Sequence, residues 1–145
     1  MYRKNSDISI KTAQKLFDIE NEGYKPYLWV IVTAYYSMFY IANAVLLSIG
    51  YKVGEKICHK VTSDALIVFV RNKLKKQLFE EYEEIKEDAL ELTSQKARFL
   101  LSSFDYERKK RSRFQYKMNE ETKKGKALIS LNRAKEFVFE MKKLL

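Results

Sequence analysis

Between Tyr27 and Ile49 the chain runs for 23 residues without a charged side chain, YLWVIVTAYYSMFYIANAVLLSI, although 32% of the protein is Asp, Glu, Lys or Arg. A helix of that length reaches across a bilayer. It equally suits the fully enclosed central helix of a small bundle. Thr33, Ser37, Asn43 and Ser48 interrupt the run, and Tyr35, Tyr36 and Tyr40 fall at mid-depth. Membrane tyrosines gather at the two interfaces instead. With a mean hydropathy of −0.41 over the whole chain, the run reads as a core helix, and no membrane association is expected.

The 145 residues suffice for one domain, 1–145, with a real core. A hydrophobic content of 46% excludes a disordered chain. Four glycines and one proline are too few to punctuate a sheet of many short strands, and the Lys, Glu, Leu, Ile and Ala content favours helix. Cys58 is the only cysteine, which rules out an internal disulfide and points to a reducing compartment. The first fifteen residues hold no apolar run, so a cytoplasmic protein is expected.

Charge is unevenly spread along the chain. Glu80 to Glu91 holds seven acids and one base, Lys86, whereas Arg108 to Lys126 holds nine bases and two acids. Most of the net +9 therefore lies in the second segment. Such asymmetry fits an anionic partner, nucleic acid being the commonest. A solvated lysine-rich face accounts for it equally well.

Hydrophobic periodicity predicts five helices. The first begins near Ser6-Asp7, whose side chains suit an N-cap, and shows Ile10, Ala13, Leu16 and Phe17 before Gly23. Pro26 opens the second, and Gly50 closes it. The third starts near Thr62 or a turn earlier, with Ala65, Leu66, Phe69, Leu74 and Leu78. A fourth runs from about Glu80 to about Arg111. Asn119 caps the last, where Ala127, Leu131, Ala134, Val138, Met141 and Leu145 alternate in steps of four and three. The expected fold is all-α, an antiparallel four-helix up-and-down bundle with an additional helix. Short connections then bring the start of helix three and the end of helix four to one pole. On that count His59 shares a pole with Glu107 to Lys117, ERKKRSRFQYK.

The residues AYYSMFYIANAVLLSIGYKV (Ala34 to Val53), followed by Lys56-x-x-His59, resemble the HEPN superfamily, in particular its small single-domain prokaryotic proteins. Arg111-Ser-Arg-Phe-Gln-Tyr116 is similar to that group's Arg-x-x-Ala-Asp-Tyr. The likeness extends over about the whole chain through short motifs. It implies a metal-independent ribonuclease or RNA-binding protein without cofactors, a homodimer, and membership of a toxin–antitoxin or defence pair with a nucleotidyltransferase partner. The family signature is an arginine, four to six residues, then a histidine. Cleavage by the 2′-hydroxyl needs a base titrating near neutrality and fixed positive charge on the developing phosphorane, which these two residues supply.

This chain departs from that signature. After Arg108 and five intervening residues stands Phe114 where a histidine is expected, and a phenyl ring moves no proton. His59 and Arg111 are the candidate catalytic pair, with Arg108, Lys109, Lys110, Arg111, Arg113 and Lys117 as candidate phosphate ligands. Arg111 also reads as a helix C-terminal cap. Tyr116 resembles the tyrosine that partner nucleotidyltransferases adenylylate, and is a candidate modification site or a packed aromatic. The alternative reading is a non-catalytic adaptor whose basic pole docks such a partner or a nucleotide.

Other signals are weaker. Cys58-His59, with no further His or Cys in the chain, makes no zinc site. The run EEYEEIKEDALE reads as an exposed face or as counter-charge for the basic segment of a second subunit. The aromatics of helix two fall at core positions, so no base-stacking platform is expected there.

Overall fold

The computed structural model describes residues 1–19, 23–101 and 120–145. These residues form five α-helices and no strand: α1 (Tyr2–Phe17), α2 (Tyr27–Ser48), α3 (Cys58–Phe69), α4 (Lys76–Leu101) and α5 (Glu120–Lys142), with a 3-10 turn at Arg71–Lys73.

The uncharged run is α2, and it is the hub of the molecule, touching each of the other four helices. It is long and apolar enough to cross a membrane, yet 72% of its most apolar window is buried inside the protein. Its polar residues find protein partners. Asn43 Nδ2 donates to the Phe39 carbonyl at 2.9 Å and to Thr62 Oγ1 at 3.2 Å, and Ser37 Oγ donates to the Ala34 carbonyl. Most of this apolar helix is thus enclosed, and its buried polar side chains are hydrogen-bonded.

Pro26 precedes the first turn of α2 as expected, and its carbonyl accepts from Val30 N–H. At the other end Gly50 takes φ +89°. Tyr51 N–H donates to the Leu46 carbonyl and Gly50 N–H to the Leu47 carbonyl, the paired closure that a left-handed glycine permits.

The first helix starts earlier than Ser6-Asp7. Ser6 lies inside α1, is buried, and donates through Oγ to the Ser37 carbonyl at 2.7 Å. Asp7 faces Lys142 at 2.6 Å. A hydroxyl that looked like a cap is instead a cross-helix tie, because it has an acceptor on α2. Tyr2 pairs with Tyr40, and Phe17 with Tyr27, so α1 and α2 run antiparallel. Lys142 pairs with Asp7, and Lys135 donates to Gln14, so α5 is also antiparallel to α1.

The third helix begins a turn before Thr62, at Cys58, and stops at Phe69. The β-branched Ile67, Val68 and Val70 and then Asn72 are poor helix formers. The backbone passes through the 3-10 turn to an extended Leu74 (ψ 152°) before α4 starts at Lys76. Leu78, Tyr82, Ile85, Ala89 and Leu92 give α4 its buried face. The stripe of α5 is buried from Ala127 to Met141, and Leu145 is exposed. Asn119 and the end of helix four near Arg111 lie outside the described residues.

The direction of α3 is a second correction. His59 packs on Tyr35, Tyr36 and Phe39, Thr62 meets Asn43, and Phe69 meets Tyr51. The helix therefore runs in the same general sense as α2, beside its C-terminal half. Residues 49–57 carry the chain back along α2 before α3 begins.

Candidate functional site

Burial and hydrogen bonding single out the surroundings of His59, the second residue of α3. Its approach is set by Ile57, whose φ of 46° is left-handed and whose side chain is 71% exposed. A β-branched residue rarely adopts that conformation, and here it turns the chain into α3.

The imidazole is half-buried against α2. Its ring lies 4.7 Å from that of Phe39, 5.5 Å from Tyr35 and 5.8 Å from Tyr36. Nδ1 and the Tyr35 hydroxyl are 2.7 Å apart. Tyr35 is fully buried, and burial pushes its phenol far above the usual tyrosine range, so it keeps its proton. His59 is pushed below its ordinary value, first by burial and then by the positive charge of Lys86. The two groups share one hydrogen bond whose direction follows the imidazole tautomer: the phenol donates to Nδ1 when the ring proton is on Nε2, and accepts from Nδ1–H when the lone pair is on Nε2.

Behind Tyr35 stands Tyr82 of α4, its ring 5.8 Å away and stacked at 5.2 Å on Phe137 of α5. The Tyr82 hydroxyl is buried with no formed hydrogen bond among the described residues, and burial raises its ionisation well above the usual value. On the solvent side, Lys86 Nζ donates to Ser63 Oγ at 2.9 Å and lies 2.8 Å from a Glu83 carboxylate oxygen. Ser63 Oγ donates to the His59 carbonyl at 3.2 Å. Lys86 thereby ties α4 to the first turn of α3.

This arrangement holds an imidazole and leaves it one free function. With the phenol donating, Nδ1 is occupied and Nε2–H is a donor; with Nδ1–H donating, the Nε2 lone pair is a base. Cys58 and His59 have no third metal ligand among the described residues. Lys86, whose charge acts on the ring, is already matched by Glu83.

Of the residues expected at a site, only His59 is described. Arg108, Lys109, Lys110, Arg111, Arg113, Tyr116 and Lys117, with Phe114, lie outside the described residues. His59 sits against the middle of α2 instead of at its end, because α3 starts there. From the His59 layer at Lys86, α4 continues to Leu101, about 22 Å further along its axis at 1.5 Å per residue. From Phe137 in the same layer back to Glu120, α5 covers about 25 Å. The ends of the connection that carries the basic segment are held at those distances.

The acidic run is not simply a solvated face. Glu81 and Asp88 are buried, Glu81 accepts from Gln77 Nε2 at 2.9 Å, and Arg133 of α5 donates to Glu84 at 3.1 Å. Sequence reading missed Tyr35 and Lys86 as partners of His59. The usable signal was a tyrosine in the middle of an enclosed apolar helix, whose hydroxyl needs a partner.

Compared with known proteins, the chain matches no family model, no curated protein and no solved structure.

Proposed function

We propose that this is a HEPN-type protein that binds RNA without cleaving it through His59. It is built as an antiparallel four-helix up-and-down bundle of α1, α2, α4 and α5, with α3 as the additional helix. The antiparallel pairings of α1 with α2 and with α5 support that arrangement. It works in the cytoplasm as a homodimer within a toxin–antitoxin or defence pair that includes a nucleotidyltransferase. Arg108, Lys109, Lys110, Arg111, Arg113 and Lys117 are the proposed phosphate contacts, and Tyr116 the residue that the partner would modify. The non-catalytic reading takes the Tyr35 phenol as the donor to His59 Nδ1, 2.7 Å away. It agrees with the absence of a histidine at position 114.

The test incubates the purified protein with labelled single-stranded RNA in EDTA, beside Arg111→Ala and His59→Ala. The expected result is retention of intact RNA at low salt, falling steeply as salt rises, and weakened by Arg111→Ala. Cleavage to cyclic phosphate ends, lost in both variants, would make the protein a ribonuclease. No retention at low salt would remove the nucleic-acid reading and leave the adaptor that docks a nucleotidyltransferase.

A further inference from the structure

The helix assigned wholly to the core has a second face. Tyr36 and Tyr40, one turn apart on α2, are half-buried and not enclosed. Tyr40 lies 6.5 Å from half-buried Tyr2 of α1, their planes 29° apart. Tyr36 lies 6.0 Å from Tyr40 on one side and 5.8 Å from His59 on the other. Tyr2, Tyr40, Tyr36 and His59 therefore form a continuous row of four partly accessible rings spanning α1, α2 and α3, with steps of 5.8 to 6.5 Å.

We propose that this row is a stacking platform for the bases of a single strand, an inference that rests on the RNA-binding reading above. Three features fit it. Partly accessible rings, here tilted by 40° between Tyr36 and Tyr40 and edge-on at 77° between Tyr36 and His59, suit the sequence-tolerant stacking used by single-strand binders. Exposed cations flank both ends: Arg3 and Lys4 follow Tyr2, and Lys56 and Lys60 bracket Cys58-His59, Lys60 also pairing with Asp64. Tracking a phosphate backbone needs such charges beside the aromatic contacts. Third, among the described residues the hydrogen bond of the His59 ring is made at Nδ1, which leaves Nε2, donor or acceptor by tautomer, for the edge of a base. An apolar ligand would use neither the cations nor that nitrogen.

Stacking and charge differ in salt dependence, which separates them experimentally. Anisotropy of a fluorescein-labelled single-stranded RNA 12-mer is measured against KCl for the full-length protein and for Tyr2→Leu, Tyr36→Leu, Tyr40→Leu and Tyr36→Phe. Each leucine variant should weaken binding about five- to 100-fold at every salt concentration. The slope of log affinity against log salt should stay that of the wild type, because no phosphate contact is lost. Tyr36→Phe keeps the ring and should bind within about twofold of wild type. Tyr2→Leu, at the first residue of α1, perturbs the core least, so the test survives if a variant on α2 fails to fold. Wild-type affinity in Tyr2→Leu and in whichever α2 leucine variant folds overturns the platform and leaves RNA binding intact. A loss accompanied by a shallower slope also overturns it, since the rings would then act through the charged surface. No binding by the wild type sinks the RNA reading and the platform together.

Discussion

The two sides of α2 are built from different materials. Toward α1 and α5 the buried packing is mostly hydrocarbon, with Ile31, Ala34, Met38, Ala42, Leu131, Ala134 and Met141 buried, and the Ser6 hydroxyl on the Ser37 carbonyl ties α1 to α2. Toward α3 and α4 the contacts are a phenol, an imidazole, an amide, hydroxyls and an ammonium: Tyr35, His59, Asn43, Thr62, Ser63 and Lys86. Hydrocarbon burial is non-directional and indifferent to pH. A hydrogen-bonded cluster fixes one orientation and responds to protons. The first side holds the molecule together, and the second sets where α3 lies.

Substitutions can break or sharpen this contrast. Ile31→Ala on the hydrocarbon side should have the largest effect, a loss of about 2–5 kcal/mol from lost transfer and cavity terms. Urea unfolding should show that loss unchanged between pH 5 and 7.5. A pH-dependent loss would mean the two sides are not separate. Tyr35→Phe on the polar side keeps the ring and removes the hydroxyl, so it should cost about 1–2 kcal/mol. Nuclear magnetic resonance should show the His59 ring signals shifting as Nδ1 loses its partner. An unmoved imidazole resonance would show that the phenol does not hold the ring.

The smallest effect expected is the pH dependence of wild-type stability near neutrality. His59 is held below its ordinary value of 6.5 when folded, so between the two values the unfolded chain binds more protons than the folded one. Stability therefore falls as pH is lowered through the region just below 6.5. His59→Gln should flatten that part of the curve of urea midpoint against pH. Parallel curves for the two proteins would show that the imidazole titrates alike in both states.

What the sequence revealed and what it hid follow from how local each signal is. Pro26 and Gly50 mark the ends of α2 because their backbone restrictions act within a turn, and both are where those restrictions require. The α5 stripe is legible because one helix face carries it. Ser6 misled because a serine has the same side chain whether it caps its own helix or reaches the carbonyl of Ser37, 31 residues away. The direction of α3 was hidden for a related reason. Connection length suggested an antiparallel return, but Asn43 with Thr62 and Tyr35 with His59 decide the matter across 19 and 24 residues. At the candidate site, His59 was legible as the sole imidazole, while its partner was not. Tyr35 carries no local mark to distinguish it from Tyr36, which also packs on His59 but is only half-buried. The arginine-rich segment, which sequence charge made prominent, lies outside the described residues.

Because one helix serves as the contact for all the others, order of synthesis matters. α1 is made first and α2 second, so a hairpin of neighbours can form as soon as Ser48 leaves the ribosome. The cover supplied by α5 begins only at Glu120, about 70 residues later, a delay on the order of 4 to 14 seconds at ordinary translation rates. For that interval the oiliest surface of the nascent chain stands half-clothed. A holdase that recognises aliphatic and aromatic side chains would find its substrate there, and a stop codon anywhere before α5 would leave a product that aggregates.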